Sequence, residues 1–136
     1  MSLLVDSCVW SLSLRRHPST ILNSDQQRLI AELHQAIAEH RASIIGVIRQ
    51  EVLSGVRVKA QFQKLQQLLA PFVDEDLTAA DYIDAARLYN ACQDHGVQCG
   101  GIDMLICAVA ARRNFTVLTY DQALLRCLKV LRIPHL

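Results

Sequence analysis

The sequence is low in net charge, in aromatic residues and in long hydrophobic runs. Its 136 residues include 14 basic and 13 acidic side chains, and 5% are aromatic. This small basic excess argues against broad, non-specific nucleic-acid binding, but it does not exclude a local basic groove. Because 51% of the residues are hydrophobic, we expect one domain over residues 1–136 with an aliphatic core.

Targeting and membrane signals are also missing. No apolar stretch reaches the ~18 residues that a membrane-spanning helix needs. The N-terminal stretch MSLLVD lacks the basic region of a signal peptide and has an acid at position 6. The five cysteines form an odd set, which argues against a disulfide framework. These features predict a cytoplasmic protein with reduced thiols and no membrane contact.

Short apolar segments alternate with segments of helical periodicity. This alternation is typical of an α/β fold with a parallel sheet. The pattern predicts strands at residues 3–6, 43–45 and 115–119, with briefer ones at 72–73 and 130–131. It predicts helices at 8–16, 24–37, 47–56, 62–69, 78–96, 102–113 and 121–127. Ser24 with Gln27 predicts a capping box at the second helix, and Thr78 with Asp81 predicts the start of the fifth.

Four acidic residues lie where acids are unusual. Asp6 ends the apolar strand LLV, and Asp121 follows the strand FTVLT. Glu51 falls on the apolar face of the helix GVIRQEVLSGV, and Asp103 begins the apolar helix IDMLICAVAARR. Each has an ordinary alternative explanation. Asp6 suits a helix N-cap, Glu51 an acid reaching to water, Asp103 a first-turn acid, and Asp121 a first-turn acid behind a capping box begun by Thr119.

Considered together, the four acids share one geometry. The carboxyl ends of parallel strands meet at one edge of a sheet, so all four side chains can converge there. Four carboxylates at one point repel one another and need a compensating cation. Oxygen ligands without His or Cys select Mg²⁺ or Mn²⁺ rather than zinc. Such a site suits phosphodiester hydrolysis, because the metal lowers the pKa of a water and stabilises the transition state.

At these residues the sequence resembles the PIN-domain proteins, specifically the VapC-type toxins of bacterial toxin–antitoxin systems. The matching segments are LLVDSCVW, IIGVIRQEVLSGV and GIDMLICAVAARRNFTVLTYDQALL, which occur in family order and span nearly the whole chain. The resemblance implies a three-layer α/β/α sandwich with a mostly parallel sheet. It also implies an Mg²⁺-dependent endoribonuclease that forms a homodimer, together with a cognate antitoxin that blocks its groove.

The resemblance also assigns roles to single residues. By matching position, four acids take the metal-site roles: Asp6, Glu51, Asp103 and Asp121. Ser7 matches the Thr or Ser that follows the first Asp and hydrogen-bonds within the site. The sequence departs from the family at Cys8, where serine is common, and at Ala123 and Leu124, which replace the usual acid and Phe after Thr-x-Asp. None of these changes removes a proposed ligand.

Contacts with RNA and with other chains are less defined by the sequence. Arginine binds phosphate with two donors, and the candidates are Arg15, Arg16, Arg49, Arg112 and Arg113, each of which also suits a solvated surface. The apolar positions of 29–37 and 62–69 are candidates for the dimer surface. An antitoxin helix is expected in an apolar groove.

Four other classes of protein were weighed against the nuclease. A receiver-like signalling domain would want paired early acids and a Lys directly after the strand FTVLT, and the sequence has neither. A zinc module could use Cys92, His95 and Cys99, but no fourth ligand is well spaced. A non-catalytic binding protein of the same fold and a DNA-directed nuclease remain alternatives.

Overall fold

A three-stranded parallel sheet forms the centre of the structure, a computed structural model that describes residues 1–15 and 17–136. Its strands are β1 (Leu3–Val5), β2 (Ala42–Ser43) and β3 (Thr116–Leu118), in the order β2-β1-β3. In the central strand, Leu4 pairs with Ser43 on one side and with Val117 on the other. Because β1 has a neighbour on each side and helices on both faces, its three apolar residues are fully buried.

Single bridges extend the sheet at both edges. Ile44 pairs with Asp74, and Val117 pairs with His135, both in parallel orientation. The predicted brief strand at 72–73 is therefore reduced to one bridge at its C-terminal side. The predicted strand at 130–131 is wrong, because the last helix continues through Val130 and the chain returns to the sheet only at His135.

The described part of the chain contains seven helices: α1 (Ser7–Leu14), α2 (Ser24–Ala38), α3 (Gly46–Leu53), α4 (Lys59–Leu69), α5 (Ala79–Asp94), α6 (Gly101–Arg113) and α7 (Gln122–Val130). Helices α1 to α4 pack on one another, and α5 to α7 form a second group. The sheet between the two groups confirms the predicted α/β/α sandwich. The predicted end of the first helix at Arg16 lies outside the described residues.

Signals for helix starts were placed correctly at one helix and wrongly at two. Thr78 and Asp81 begin α5 as predicted, and the structure shows that they form a capping box there. At α2 the box is shifted by one residue, because Asn23 rather than Ser24 is the N-cap and pairs with Gln26. At α7 the box begun by Thr119 does not form, since Asp121 is itself the N-cap.

The core is aliphatic, as predicted, and it excludes one candidate dimer surface. Leu29, Leu33 and Ala36 of α2 are buried against the sheet and its neighbours, so this face is not available to a second copy. On α4, Phe62 and Leu68 stay exposed. None of the helices in residues 1–15 and 17–136 is long and apolar enough to cross a membrane.

The expectation of reduced cysteines is wrong for one pair. Cys99 and Cys127 form a disulfide, whereas Cys8, Cys92 and Cys107 are free thiols. The bonded residues are 28 positions apart in sequence. They meet because α6, β3 and α7 fold back on one another, which neither an odd count nor local spacing reveals.

Ion pairs between the buried Asp81 and two partly exposed arginines fasten α5 to the end of α6. The Asp81 carboxylate accepts a hydrogen bond of 2.8 Å from Arg113 Nη1 and lies 3.1 Å from Arg112 Nε. The hydrogen bond from Arg113 is the main cause that lowers the pKa of Asp81 to about 2. The Thr78 N–H donates to the same carboxylate at 2.8 Å. Arg112 and Arg113 therefore have a structural role, contrary to their listing as phosphate-binding candidates.

Replacing this carboxylate should weaken the fold in a pH-dependent way. Asp81→Asn can still accept the Thr78 N–H bond but leaves two guanidinium groups without their charge partner. We expect the free energy of unfolding at pH 7 to fall by about 2–3 kcal/mol. This loss is small for a broken buried ion pair, because both arginines reach water. Urea unfolding of both proteins measures it.

The same comparison repeated at low pH tests the cause. The folded pKa of Asp81 lies below its ordinary value of 3.8, so its stabilising contribution is complete above about pH 4 and is lost as the pH falls toward 2. The difference between the two proteins should therefore shrink at pH 3. A difference that is the same at pH 7 and pH 3 would mean that the charge of Asp81 is not what stabilises the fold.

Candidate metal centre

Asp6 lies at the carboxyl end of the central strand and uses its two oxygens for different purposes. Oδ1 accepts the Ser7 N–H at 2.8 Å and caps α1. Oδ2 accepts the Thr119 hydroxyl at 2.8 Å, and the Cys8 thiol lies 3.3 Å away. The ordinary reading of Asp6 as an N-cap is correct for one oxygen. The N-cap role does not explain why Oδ2 accepts a hydrogen bond from Thr119, which follows a different strand. Nor does it explain why Asp6 is only 5% exposed.

Thr119 connects two of the four acids, and the sequence analysis did not recognise this role. It is buried directly after β3, where its hydroxyl donates to Asp6 and accepts the N–H of Asp121 at 3.0 Å. The signal available in the sequence was a polar hydroxyl ending an apolar strand, two residues before an acid. A local capping box was the simpler interpretation of that pattern. Only the pairing of β1 with β3 brings Thr119 to Asp6.

Asp121 is the N-cap of α7 and lies at the exposed rim of the site. Its Oδ1 accepts the N–H groups of Ala123 at 2.8 Å and Leu124 at 3.2 Å. Both bonds use the same oxygen, so Oδ2 has none of the capping bonds. The departures from the family at Ala123 and Leu124 leave this backbone geometry intact, because only their N–H groups take part.

Glu51 occupies α3 and faces the other acids from the rim. It is exposed, so the expectation that it points into the core is wrong. Partial burial raises the pKa of Glu51, and the charges of Asp6 and Asp103 raise it further. A hydrogen bond with the Ser7 side chain opposes the rise in this pKa. The Ser7 hydroxyl also lies 3.5 Å from Asp6 Oδ1, so Ser7 stands between the two carboxylates.

Asp103 is half-buried in the first turn of α6. Burial is the main cause that raises the pKa of Asp103, followed by the charges of Asp121 and Asp6. A hydrogen bond from the Gly100 backbone acts in the opposite direction on this pKa. The helix behind Asp103 is buried from Met104 to Ala110, so the acid lies at the N-terminal end of a buried apolar segment.

Together these four acids, called the carboxylate cluster below, repel one another without a counter-charge. Each of Asp6, Asp103 and Asp121 contributes to raising the pKa of another member. Among the described residues, no Lys or Arg forms an ion pair with any of the four, whereas acids elsewhere in the fold are paired with arginine. A group of unpaired acids held this close is the environment that a divalent cation stabilises.

The cluster surrounds a space without closing on it. Within residues 1–15 and 17–136, no three of its carboxylates bring their oxygens within 4.8 Å of one another. Mg²⁺ keeps several of its waters and takes only some of its ligands from the protein, so such spacing fits this ion. The donors are all hard oxygens, which also fit Mn²⁺ and do not favour zinc.

Most of the arginines proposed for phosphate binding are engaged in the fold. Arg49 donates to Asp74 at 3.0 Å and to the Leu69 carbonyl at 3.0 Å, and Arg112 and Arg113 hold Asp81. Arg16 lies outside the described residues. Arg15 remains available to bind phosphate, because its side chain makes only a 3.3 Å contact with the Val52 carbonyl.

Arg15 borders a groove of about 480 Å³ between the end of α1 and helix α4. The apolar side chains of the groove are Leu14, Val56, Val58, Leu65 and Leu68, and its basic side chains are Arg15, Arg57 and Lys64. An apolar floor with basic residues beside it suits a partner that has both an apolar stripe and negative charge.

Known proteins share this fold. The structure of FitAcB from Neisseria gonorrhoeae superposes with a TM-score of 0.71 at 19% identity, covering 98% of this chain and 95% of that one. The structure of VapBC2 from Rickettsia felis bound to a DNA fragment from its promoter gives 0.75 at 18% identity, covering 100% and 98%. No curated protein sequence matches the chain.

Identities this low support the fold alone, and the family is established by sequence. The family model described as PIN domain matches residues 3–127, a span that contains all four acids of the carboxylate cluster. The chain belongs to the PIN domain family.

Proposed function

We propose that this protein is a VapC-type toxin, an endoribonuclease that depends on Mg²⁺ or Mn²⁺ and acts in the cytoplasm as a single domain over residues 1–136. PIN domains are typically nucleases. The observation that carries the proposal is the carboxylate cluster: four neighbouring acids whose charges raise the pKa of Glu51 and of Asp103, with no basic partner among the described residues.

Four side chains would hold the metal: Asp6, Glu51, Asp103 and Asp121. The bound ion would supply an activated water and would neutralise charge at the phosphate. Ser7 lies beside both Asp6 and Glu51, and its hydroxyl can donate its one proton to either carboxylate. Thr119 holds Asp6 Oδ2 on one side and the backbone of Asp121 on the other, so it is a positioning residue.

An antitoxin protein is the proposed partner, and the groove beside α4 is its proposed binding site. A helix with an apolar stripe and acidic flanks would match the groove's Leu65 and Leu68 and its Arg57 and Lys64. The VapBC2 structure carries the name of a two-component complex. A homodimer is also proposed, and α2 cannot supply its surface because Leu29 and Leu33 are buried.

Cleavage of RNA by the antitoxin-free protein tests the proposed activity. We expect cleavage of single-stranded RNA with Mg²⁺ or Mn²⁺, none with EDTA, and a loss of at least ~100-fold in Asp103→Asn, because the site loses a charged ligand. The matched control is Asp84→Asn, an acid on α5 paired with Arg87 and Arg112, which should retain activity.

A DNA strand of the same sequence separates the alternatives. Cleavage of DNA in preference to RNA would replace the ribonuclease with a DNA-directed nuclease of the same fold. Full activity of Asp103→Asn, or full activity in EDTA, would defeat the proposed metal centre. Asp6→Asn is a better probe than Asp6→Ala, because Asn also caps helices well and spares α1.

Thermal unfolding gives a second test that does not require the right substrate. Without metal, Asp103→Asn should be at least as stable as the wild type, because it removes a charge that the fold concentrates. Mg²⁺ should raise the Tm of the wild type and of Asp84→Asn but not that of Asp103→Asn. Equal stabilisation of all three proteins by Mg²⁺ would place the ion elsewhere.

The positioning role of Thr119 predicts a graded effect. Thr119→Val keeps the shape but removes the donor to Asp6 and the acceptor for Asp121, so we expect a loss of about 1–2 kcal/mol in stability and roughly tenfold in Mn²⁺ affinity. Thr119→Ser restores the hydroxyl and should recover most of both. Calorimetric titration with Mn²⁺ measures the affinity and urea unfolding measures the stability, with Thr116→Val in β3 as the control. An equal loss of affinity in Thr116→Val would reduce the effect to general packing.

A further inference from the structure

Three cysteines form a second cluster, close in sequence to the acids of α6 and α7. They are Cys92 in α5, Cys99 in the loop before α6 and Cys127 in α7. Each sulfur lies within 4.8 Å of the other two. Cys99 and Cys127 are bonded, and Cys92 is a free thiol. The cluster therefore contains one sulfur more than a structural disulfide requires.

The disulfide ties together the two elements that present Asp103 and Asp121. Cys99 directly precedes Gly100, which is the N-cap of α6 and lies against the carboxylate of Asp103. Cys127 lies in α7, the helix that Asp121 caps. With the bond closed, the start of α6 and the body of α7 are covalently linked. With it open, only non-covalent packing keeps these two acids in place against their mutual repulsion.

The three sulfurs differ in how solvent can reach them. Cys92 and Cys127 are fully buried, whereas Cys99 is partly exposed. Cys99 also lines an open hollow of about 310 Å³ together with Tyr89, Gln93, Gln98 and Gly100. This polar hollow is large enough to admit part of a small peptide thiol, so exchange would begin at Cys99.

We propose that Cys92, Cys99 and Cys127 form a thiol–disulfide exchange site for small thiols of the glutathione class, and that its state sets the metal affinity of the carboxylate cluster. The coupling to metal rests on the proposed function. The closed bond holds Asp103 and Asp121 at the site, so the oxidised form binds the metal more tightly. Opening the bond lets the repelling acids separate and weakens binding.

The exchange balances without any further reactant. A small thiolate attacks Cys99 Sγ, a mixed disulfide forms, and Cys127 leaves as a thiolate that takes up a proton. Cys92 then attacks Cys99 Sγ and expels the small thiol, which gives a Cys92–Cys99 disulfide. Alternatively, a second small thiolate attacks the sulfur of the first and releases Cys99. This second route moves two electrons from two small thiols to the protein and yields their disulfide.

Counting thiols tests the exchange site independently of nuclease activity. The full chain is equilibrated with oxidised or reduced glutathione, denatured, and alkylated with a maleimide. Mass spectrometry should find three modified cysteines in the oxidised form, since Cys8, Cys92 and Cys107 are free, and five in the reduced form. Five modified cysteines in both buffers, or three in both, would overturn the exchange site.

Variants separate the roles of the three sulfurs. Cys99→Ser should bind Mn²⁺ as weakly as the reduced wild type in either buffer, while Cys107→Ala, a buried thiol outside the cluster, should respond as the wild type does. Cys92→Ser keeps the bond but cannot form the Cys92–Cys99 disulfide, which in the wild type competes with reduction. It should therefore be reduced faster than the wild type, because only the second route remains. Equal rates of reduction would remove Cys92 from the exchange.

Calorimetric titration with Mn²⁺ tests the coupling. We expect the reduced form to bind about five- to tenfold more weakly than the oxidised form, the size of an ordinary coupling between two sites. Equal affinities in the two forms would overturn the coupling while leaving the proposed metal centre intact. No binding by either form would defeat the proposed function and the coupling with it, and the thiol count would still decide the exchange site.

A zinc titration of the reduced protein tests whether the three sulfurs bind a metal ion instead of exchanging disulfides. Stoichiometric Zn²⁺ uptake that blocks alkylation of Cys92, Cys99 and Cys127, with no change in Mn²⁺ affinity, would make the cluster a metal site and overturn the switch. His95 does not join these sulfurs, because neither of its ring nitrogens lies within 4.8 Å of all three. Release of Mn²⁺ on reduction, with no zinc uptake, is the result that the switch predicts.

Discussion

Like-charge repulsion at the carboxyl edge of the sheet is the constraint around which the rest of this structure is arranged. Asp6 and Asp121 are fixed there by backbone N–H groups and by Thr119, and Asp103 and Glu51 are carried in by helices with buried faces. Packing of an apolar core supplies the free energy that holds these charges together. In this chain the stability of the fold and the clustering of the four acids therefore oppose each other.

The contrast with Asp81 shows how differently the same side chain can be used. Asp81 is more deeply buried than any member of the carboxylate cluster, yet its pKa is low because two arginines surround it. Asp103 is less buried, but among the described residues no cation is near it to offset its burial; burial is the main cause that raises its pKa, and the charges of Asp121 and Asp6 raise it further. Burial alone thus does not identify a functional carboxylate. The sign of the neighbouring charges does, and it separates a structural clamp from a site that needs a ligand.

The sequence predicted the features that depend on local pattern. Asp6 at the end of LLV, the capping box of Thr78 and Asp81, and the parallel α/β sandwich all follow from periodicity and turn chemistry. It did not predict the bond between Cys99 and Cys127, the clamp on Asp81 or the double role of Thr119. Each of these joins residues from separate elements, and no short-range signal marks such a partner. Glu51 was misplaced for a related reason: helical periodicity gives a face, but neighbouring helices decide whether that face is covered.

The central strand is synthesised long before its partner β3. Leu3 to Val5 wait for residues 116–118, with which they pair. Asp6 gains its second hydrogen bond only when Thr119 has been added. A chain interrupted before β3 has an incomplete sheet and lacks Asp121. The carboxylate cluster can therefore assemble only after β3 and Asp121 have been translated, and a truncation before β3 leaves Asp6 with its role as the N-cap of α1 alone.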